Sequence, residues 1–210
     1  MYETDQEQIE AIKGWWSQNG NWVIGGCLAF IVSYIGLYFY QSSAQTHRVD
    51  GSQAYEQLLV NLTSETPDSE ALDAQIDLLK SEYKDLGYGL MAALLEAKVA
   101  VDAGNLEGAL PALEWAAKNA EPALLAVILY RKAMVQYGLN DLDAALTSLN
   151  AIRGDGHQTL TFELKGDILL DQGKPDEANS AYQAALDLSG DEGIDNPYLQ
   201  MKLDDLAVAE

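Results

Sequence analysis

The sequence predicts an all-α protein, in which a single N-terminal transmembrane helix is followed by a solenoid of helical pairs. Three observations support this fold class. Residues 22–40 are almost continuously apolar, whereas the rest of the chain is amphipathic with a helical period and shows no alternating strand pattern. A short helix–turn–helix motif also recurs in the second half of the chain, which is typical of repeat architectures.

Residues 22–40 form the predicted transmembrane helix. No charged residue lies between Lys13 and His47, and nineteen residues at 1.5 Å each span about 28 Å, close to the thickness of a bilayer core. Tryptophan and tyrosine residues crowd both ends, as they do at membrane interfaces. A buried core helix and a cleavable signal peptide are the alternatives. The length of the segment and the acidic residues before it favour an anchor that is retained in the lipid bilayer.

Short segments flank this helix. Residues 1–21 are predicted to be a tail with an interfacial helix that stops at Asn19-Gly20, and residues 41–48 are predicted to be a linker. The nearest cations, Lys13 and Arg48, balance each other, so charge alone leaves the orientation open.

One face of the transmembrane helix carries small residues at a spacing of three to four. Such a stripe lets a second membrane helix approach closely, although membrane helices are in general rich in glycine and alanine. The predicted packing residues are Gly25, Ala29, Ser33 and Gly36.

The recurring motif contains Ala109, Ala145 and Ala178, which are 36 and 33 residues apart. This spacing resembles the tetratricopeptide repeat, a helix–turn–helix unit of about 34 residues. Twelve residues before each alanine stands another small residue, so we expect the two helices of each unit to cross closely there. The predicted domain covers residues 49–210, with repeats at about 88–120, 122–155 and 157–190 and a capping helix at 196–208.

A weaker helical pair is predicted upstream of the repeats. One helix runs from Ser52 to Leu62, and the next begins near Pro67 with Thr66 as its cap.

The composition excludes several classes of function. The chain has 33 acidic and 12 basic residues and a net charge of −21, which repels nucleic acid. His47 and His157 are isolated, and Cys27 lies in the transmembrane helix, a poor place for a nucleophile. A cluster of aspartates near Asp187 and Asp195 fails the spacing of a calcium loop. We therefore predict neither an enzyme nor a site for a cofactor or metal.

What remains is a surface for binding proteins. In a solenoid of helical pairs the first helices line a concave face, apolar in its middle and acidic at its far end here, which suits apolar peptide. Any of these residues could instead belong to the core between helices. The candidate groove residues are Met91, Leu94, Lys98, Val127, Tyr130, Met134, Tyr137, Leu160, Glu163, Asp167 and Leu170.

The order of these features is more specific than a repeat alone. Residues 8–16 (QIEAIKGWW) precede the span, residues 52–55 (SQAY) follow it, residues 87–90 (GYGL) open the first repeat, and residues 201–203 (MKL) lie near the end. Over essentially the whole chain, this order resembles the YfgM family, the ancillary subunit of the bacterial SecYEG translocon.

The resemblance implies a single-pass protein of the bacterial inner membrane, with a cytoplasmic N-terminus and a periplasmic repeat domain. It implies contacts with the SecYEG translocon, with a membrane-anchored periplasmic chaperone of the PpiD type and with secretory polypeptides. The expected function is a scaffold or chaperone-like subunit that helps to transfer secreted proteins to periplasmic chaperones. The alternative is a membrane-bound regulator of envelope-stress signalling, acting through its cytoplasmic tail on a regulator of the RcsB type.

Overall fold

The computed structural model describes residues 2–154, 157–191 and 196–208, and within these ranges it contains helices and no strands. The predicted all-α class is confirmed. The helices are α1 (Tyr2–Leu62), α2 (Ser69–Glu82), α3 (Tyr88–Asp102), α4 (Leu106–Asn119), α5 (Pro122–Gly138), α6 (Leu142–Asn150), α7 (Gln158–Asp171), α8 (Pro175–Asp191) and α9 (Pro197–Val208), and a 3₁₀ turn covers Lys84–Leu86.

Helix α1 is continuous where the sequence predicts two interruptions. Asn19 and Gly20 are helical, so the predicted helix stop at this pair is wrong, and residues 41–48, the predicted linker, are helical as well. The Asn19 side-chain amide donates to the Trp15 carbonyl at 3.0 Å, and Gly20 packs against the Trp16 ring. The apolar segment that follows can satisfy its backbone in lipid only as a helix, which favours continuing α1 through this pair.

The chain forms two compact units, Met1–Gln53 and Ala54–Glu210. In the first unit the apolar side chains of α1 are exposed; Trp22, Phe30 and Tyr40 are 84%, 72% and 74% exposed. Within the described residues, α1 is the one helix long and apolar enough to cross a membrane, and none of its apolar window is buried. A soluble protein rarely exposes so much contiguous apolar surface, which argues against the core-helix alternative.

The second unit contains three helical pairs, α3–α4, α5–α6 and α7–α8, which overlie the ranges predicted for the repeats. The turn inside each pair has the same geometry. Gly104, Asn140 and Gly173 have φ of 74°, 61° and 71°, the left-handed conformation that ends a helix. The N–H of the next residue then reaches back to a carbonyl of the preceding helix at 2.8 to 3.0 Å. Asn105 and Asp141 cap the following helices.

The two helices of each pair meet at small residues, as predicted. Ala97 of α3 lies in one buried cluster with Ala109 of α4, and Ala133 of α5 lies in another with Ala145 of α6. All four residues are at least 96% buried. In the last pair a Cβ at Gly166 would overlap the ring of Tyr182, which is itself 1% exposed. Close-packed interiors leave no room for larger side chains at these crossings.

The middle repeat carries Lys132 and Gln136 on its first helix, and the structure gives both of them a partner. The Ser148 hydroxyl donates to the buried Gln136 side chain at 2.6 Å, which offsets the cost of burying this amide. Lys132 forms an ion pair with Glu114 of the preceding pair at 3.1 Å.

Upstream, the end of α1 and helix α2 form a further pair. Leu58, Ile76 and Leu79 pack with Ala92 of α3 in one buried cluster. The predicted cap of α2 is wrong by two residues. Asp68, and not Thr66, caps this helix by accepting from the Ala71 N–H at 3.1 Å.

Candidate binding surface

An apolar cavity of about 650 Å³ opens among α3, α4 and α5, and Tyr55 contributes to its wall. Four of the predicted groove residues line it, namely Met91, Leu94, Lys98 and Met134. Sequence reasoning missed the rest of the wall, which comprises Tyr55, Leu95, Ala97, Val101, Leu106, Leu113, Arg131, Val135 and Gly138. We call this site the apolar cavity. Its volume is typical of sites that bind small ligands or side chains of a partner.

The chemistry of the apolar cavity is set by flexible apolar side chains and two cations. Met91 and Met134 are each 50% exposed, and methionine adapts its shape to different apolar partners. Lys98 forms an ion pair with Asp102 one turn further along α3. Arg131 also lines the cavity. It lies one turn after Val127 on the same face of α5, and this helical spacing is the sequence signal by which it could have been predicted.

The acidic end predicted for the groove is occupied by a cation from α9. The Lys202 ammonium donates to Asp167 at 2.6 Å and to Glu163 at 3.0 Å, and its side chain is 14% exposed. It also lies 5.3 Å from the ring centre of Tyr182 and 4.7 Å from that of Tyr198. We call these five residues the Lys202 cluster. Sequence reasoning missed it, although Lys202 is the only basic residue after Lys174.

The Lys202 cluster perturbs the ionisation of its members. Burial lowers the pKa of Lys202, but hydrogen bonds to Asp167 and Glu163 outweigh this effect and the net shift is upward. Burial raises the pKa of Tyr182, and the hydrogen bond that its hydroxyl donates to Asp167 at 2.7 Å raises it further. The cluster is therefore most stable with Lys202 charged and Tyr182 neutral.

The two predicted groove tyrosines of α5 are held by the domain itself. Tyr137 donates to Asp171 at 2.6 Å, and this bond, together with burial, raises the pKa of Tyr137 to about 12. Burial, followed by the charges of Glu163 and Asp167, raises the pKa of Tyr130. Both rings pack against the buried cluster between α5, α6 and α7. They serve the core, which is the alternative reading of the groove residues.

Five predicted groove residues line neither the apolar cavity nor the Lys202 cluster, namely Tyr130 and Tyr137, which pack against the core, and three others. Leu160 and Leu170 of α7 are 44% and 41% exposed, and Val127 is half-buried on α5. The structure thus brings six of the predicted groove residues together in two separate sites and leaves the other five outside both.

The predicted packing stripe lies on an open face of α1. Ala29 and Ser33 are exposed, and a Cβ added at Gly25 or Gly36 would have no atom within 4 Å. Its role stays a prediction.

No group of three or more His, Cys, Asp or Glu among the described residues could hold a metal ion. The rejected calcium loop falls partly on Asp195, which lies outside the described residues, as do Asp155 and Gly156 of the last inter-repeat loop.

The fold and its apolar cavity define a class of protein, a tetratricopeptide-type repeat domain joined to a membrane-type helix. A family model described as a tetratricopeptide repeat-like domain matches residues 13–208, nearly the whole chain.

Curated relatives carry a common name. The chain is 30% identical over 209 residues to the "Ancillary SecYEG translocon subunit" of Escherichia coli K12, and the match covers 99% of both chains. Proteins of the same name from Aggregatibacter actinomycetemcomitans and Neisseria gonorrhoeae are 29% and 26% identical, over 96% of this chain and 97% of theirs. The chain therefore belongs to the tetratricopeptide repeat-like family of which these ancillary translocon subunits are members, and the predicted family is confirmed.

Proposed function

We propose that this protein is a membrane-anchored scaffold or chaperone-like ancillary subunit of the Sec translocon, which helps to transfer secreted proteins to periplasmic chaperones. The relatives' name supports the translocon association. The proposed partners are the SecYEG translocon, a chaperone of the PpiD type and secretory polypeptides. The role is one of binding, with no enzymatic step.

The observation that carries this proposal is the apolar cavity. A domain with a strongly acidic surface stays soluble, yet it exposes Met91 and Met134 beside a 650 Å³ apolar concavity. Exposed apolar surface of this kind marks sites for protein partners. Methionine-rich surfaces repack around different sequences, which suits a protein that handles many secreted chains.

The proposed location is the bacterial inner membrane, with the N-terminus in the cytoplasm and the repeat domain in the periplasm. The family resemblance supports this orientation. It can be tested with Cys27→Ser, which leaves no other cysteine, combined with Ser64→Cys in the exposed loop before α2. We expect a membrane-impermeant maleimide to label Ser64→Cys from the periplasmic side of intact cells. Labelling only after lysis would contradict the orientation.

The anchor is proposed to contribute to translocon contact through its stripe of small residues. Gly25→Leu together with Ala29→Leu should reduce co-purification with the translocon, because bulky side chains prevent close approach of a second helix. Cys27→Leu is the control, since this residue lies on the opposite face of α1. Equal recovery of the translocon with both variants would remove the stripe from the proposal.

The main test is purification of the full chain in mild detergent, followed by identification of its partners. We expect translocon subunits, a PpiD-type chaperone and secretory polypeptides with the wild type. Met134→Lys should lose the secretory polypeptides, because a charge in the apolar cavity cannot be desolvated cheaply. Met201→Lys is the matched control, since Met201 of α9 is also 50% exposed but lies outside the cavity.

Absence of translocon subunits from the wild-type preparation would contradict the proposal. The alternative, a regulator of envelope stress with an RcsB-type partner, stays a prediction. It requires that deleting residues 2–10 abolishes a signalling effect while translocon recovery is unchanged.

A further inference from the structure

The apolar cavity differs from the rest of the domain in its charge. After residue 48 the chain has 29 acidic and 10 basic residues. The cavity lining reverses this balance, because it contains two cations, Lys98 and Arg131, and no carboxylate. Lys98 already has a partner in Asp102. Among the described residues no carboxylate lies within 4 Å of the Arg131 guanidinium.

A guanidinium beside an apolar cavity recognises one kind of partner well. Arginine holds a carboxylate through two parallel hydrogen bonds, and the interaction strengthens where neighbouring apolar surface excludes water. The acidic surface outside the cavity repels partners with a high negative charge. The best occupant is therefore mainly apolar, with a single acidic residue placed to meet Arg131.

We propose that the apolar cavity binds short apolar segments of a polypeptide that contain one acidic side chain, with Arg131 as the residue that selects the acid. This inference rests on the proposed function and names the class of segment that the scaffold would hold. The apolar side chains of the segment fill the space beside Met91 and Met134, and its Asp or Glu pairs with the Arg131 guanidinium.

The test uses the full chain in lipid nanodiscs, with empty nanodiscs as the blank, and fluorescent twelve-residue peptides of alanine, leucine and serine. All peptides are acetylated and amidated, and they differ at one central position, which is Glu, Gln or Lys. We expect the Glu peptide to bind about fivefold more tightly than the Gln peptide, and the Lys peptide to bind most weakly. A further Gln peptide with a free terminal carboxylate should bind like the amidated one.

Two variants with the same change in charge distinguish an effect of Arg131 within the cavity from an effect of the net charge of the domain. Arg131→Glu should remove the preference for the Glu peptide or invert it in favour of Lys. Lys174→Glu, at an exposed position outside the cavity, should keep the wild-type order. Thermal unfolding of both variants shows that the domain stays folded.

The inference is overturned if the wild type binds the Glu and Gln peptides equally or binds neither. It is also overturned if Lys174→Glu behaves as Arg131→Glu does, or if a free terminal carboxylate replaces the internal Glu. Each of these results leaves the proposed function standing, because recovery of the translocon and the effect of Met134→Lys on secretory polypeptides are measured separately.

Discussion

The two ends of the repeat domain are built from helical pairs of the same architecture, but the faces of their first helices differ. At the α3–α5 end, the faces of the first helices remain open and apolar around the apolar cavity. At the α7–α9 end, the corresponding polar face is engaged by Lys202, which two carboxylates and two aromatic rings surround. A solenoid needs a cap at its end, and here the cap also closes an acidic surface. We propose that the α3–α5 end binds a partner, whereas the α7–α9 end holds the domain together.

Removing the cation should have the largest effect on the folded domain. Lys202→Met leaves Glu163 and Asp167 partly buried without a counter-charge, and we expect a loss of about 2–3 kcal/mol in the free energy of unfolding. Urea denaturation measures this loss. Lys174→Met, which removes an exposed cation, should change the free energy by less than about 0.5 kcal/mol. Equal values for the two variants would show that the α7–α9 end does not depend on Lys202.

Alanine substitutions at two helical glycines of this end should change the free energy of unfolding by smaller amounts, and the two changes should have opposite signs. Gly166→Ala forces a methyl group into the buried Tyr182 ring and should destabilise the domain by about 1–2 kcal/mol. Gly190→Ala meets no atom within 4 Å and should stabilise it by about 0.5–1 kcal/mol, because alanine favours helix. Thermal or urea unfolding compares the two. A neutral result for Gly166→Ala would mean that α7 and α8 can separate at this crossing.

High pH should weaken the contact between Tyr137 of α5 and Asp171 of α7, by about 1 kcal/mol or less because Tyr137 is partly exposed to solvent. Its pKa is about 12 in the folded domain, against about 10 in an unfolded chain. The unfolded state loses this proton first, so the stabilisation is complete below pH 10 and is lost as the pH rises towards 12. Tyr182 and Lys202, whose pKa values are also raised, act in the same direction.

Urea unfolding at pH 8, 10 and 11 measures this decline. In Tyr137→Phe, which cannot ionise, the decline should be smaller than in the wild type. A free energy of unfolding that stays constant from pH 8 to 11, or the same decline in both proteins, would contradict the assignment.

The sequence predicts the part of this fold that depends on local packing. A close helix crossing can be predicted because only small residues fit there, as at Ala97 and Ala109 or at Ala133 and Ala145. These small residues also recur with the period of the repeat. The continuity of α1 could not be predicted in this way. An Asn-Gly pair occurs both at helix ends and inside helices, so the pair alone does not predict whether the helix stops there. Here the apolar segment that follows favours a continuous helix.

The candidate site is less predictable because long-range contacts divide it. Lys202 is 35 residues from Asp167 along the chain, and no local pattern joins them. Without that contact, the acidic residues of α7 read as an open extension of the apolar groove. Arg131 follows the helical spacing of Val127 but is charged, so a search for apolar residues omits it.

The most direct test of the two-ended domain is site-specific photo-crosslinking in membranes during protein export. Met134 of α5 and Leu160 of α7 are 50% and 44% exposed, and only Met134 lines the apolar cavity. A photoreactive phenylalanine analogue is placed at each position in turn. We expect this two-ended domain to give crosslinks to secretory polypeptides from position 134 and few or none from position 160. Equal crosslinking from both positions, or stronger crosslinking from position 160, would contradict it.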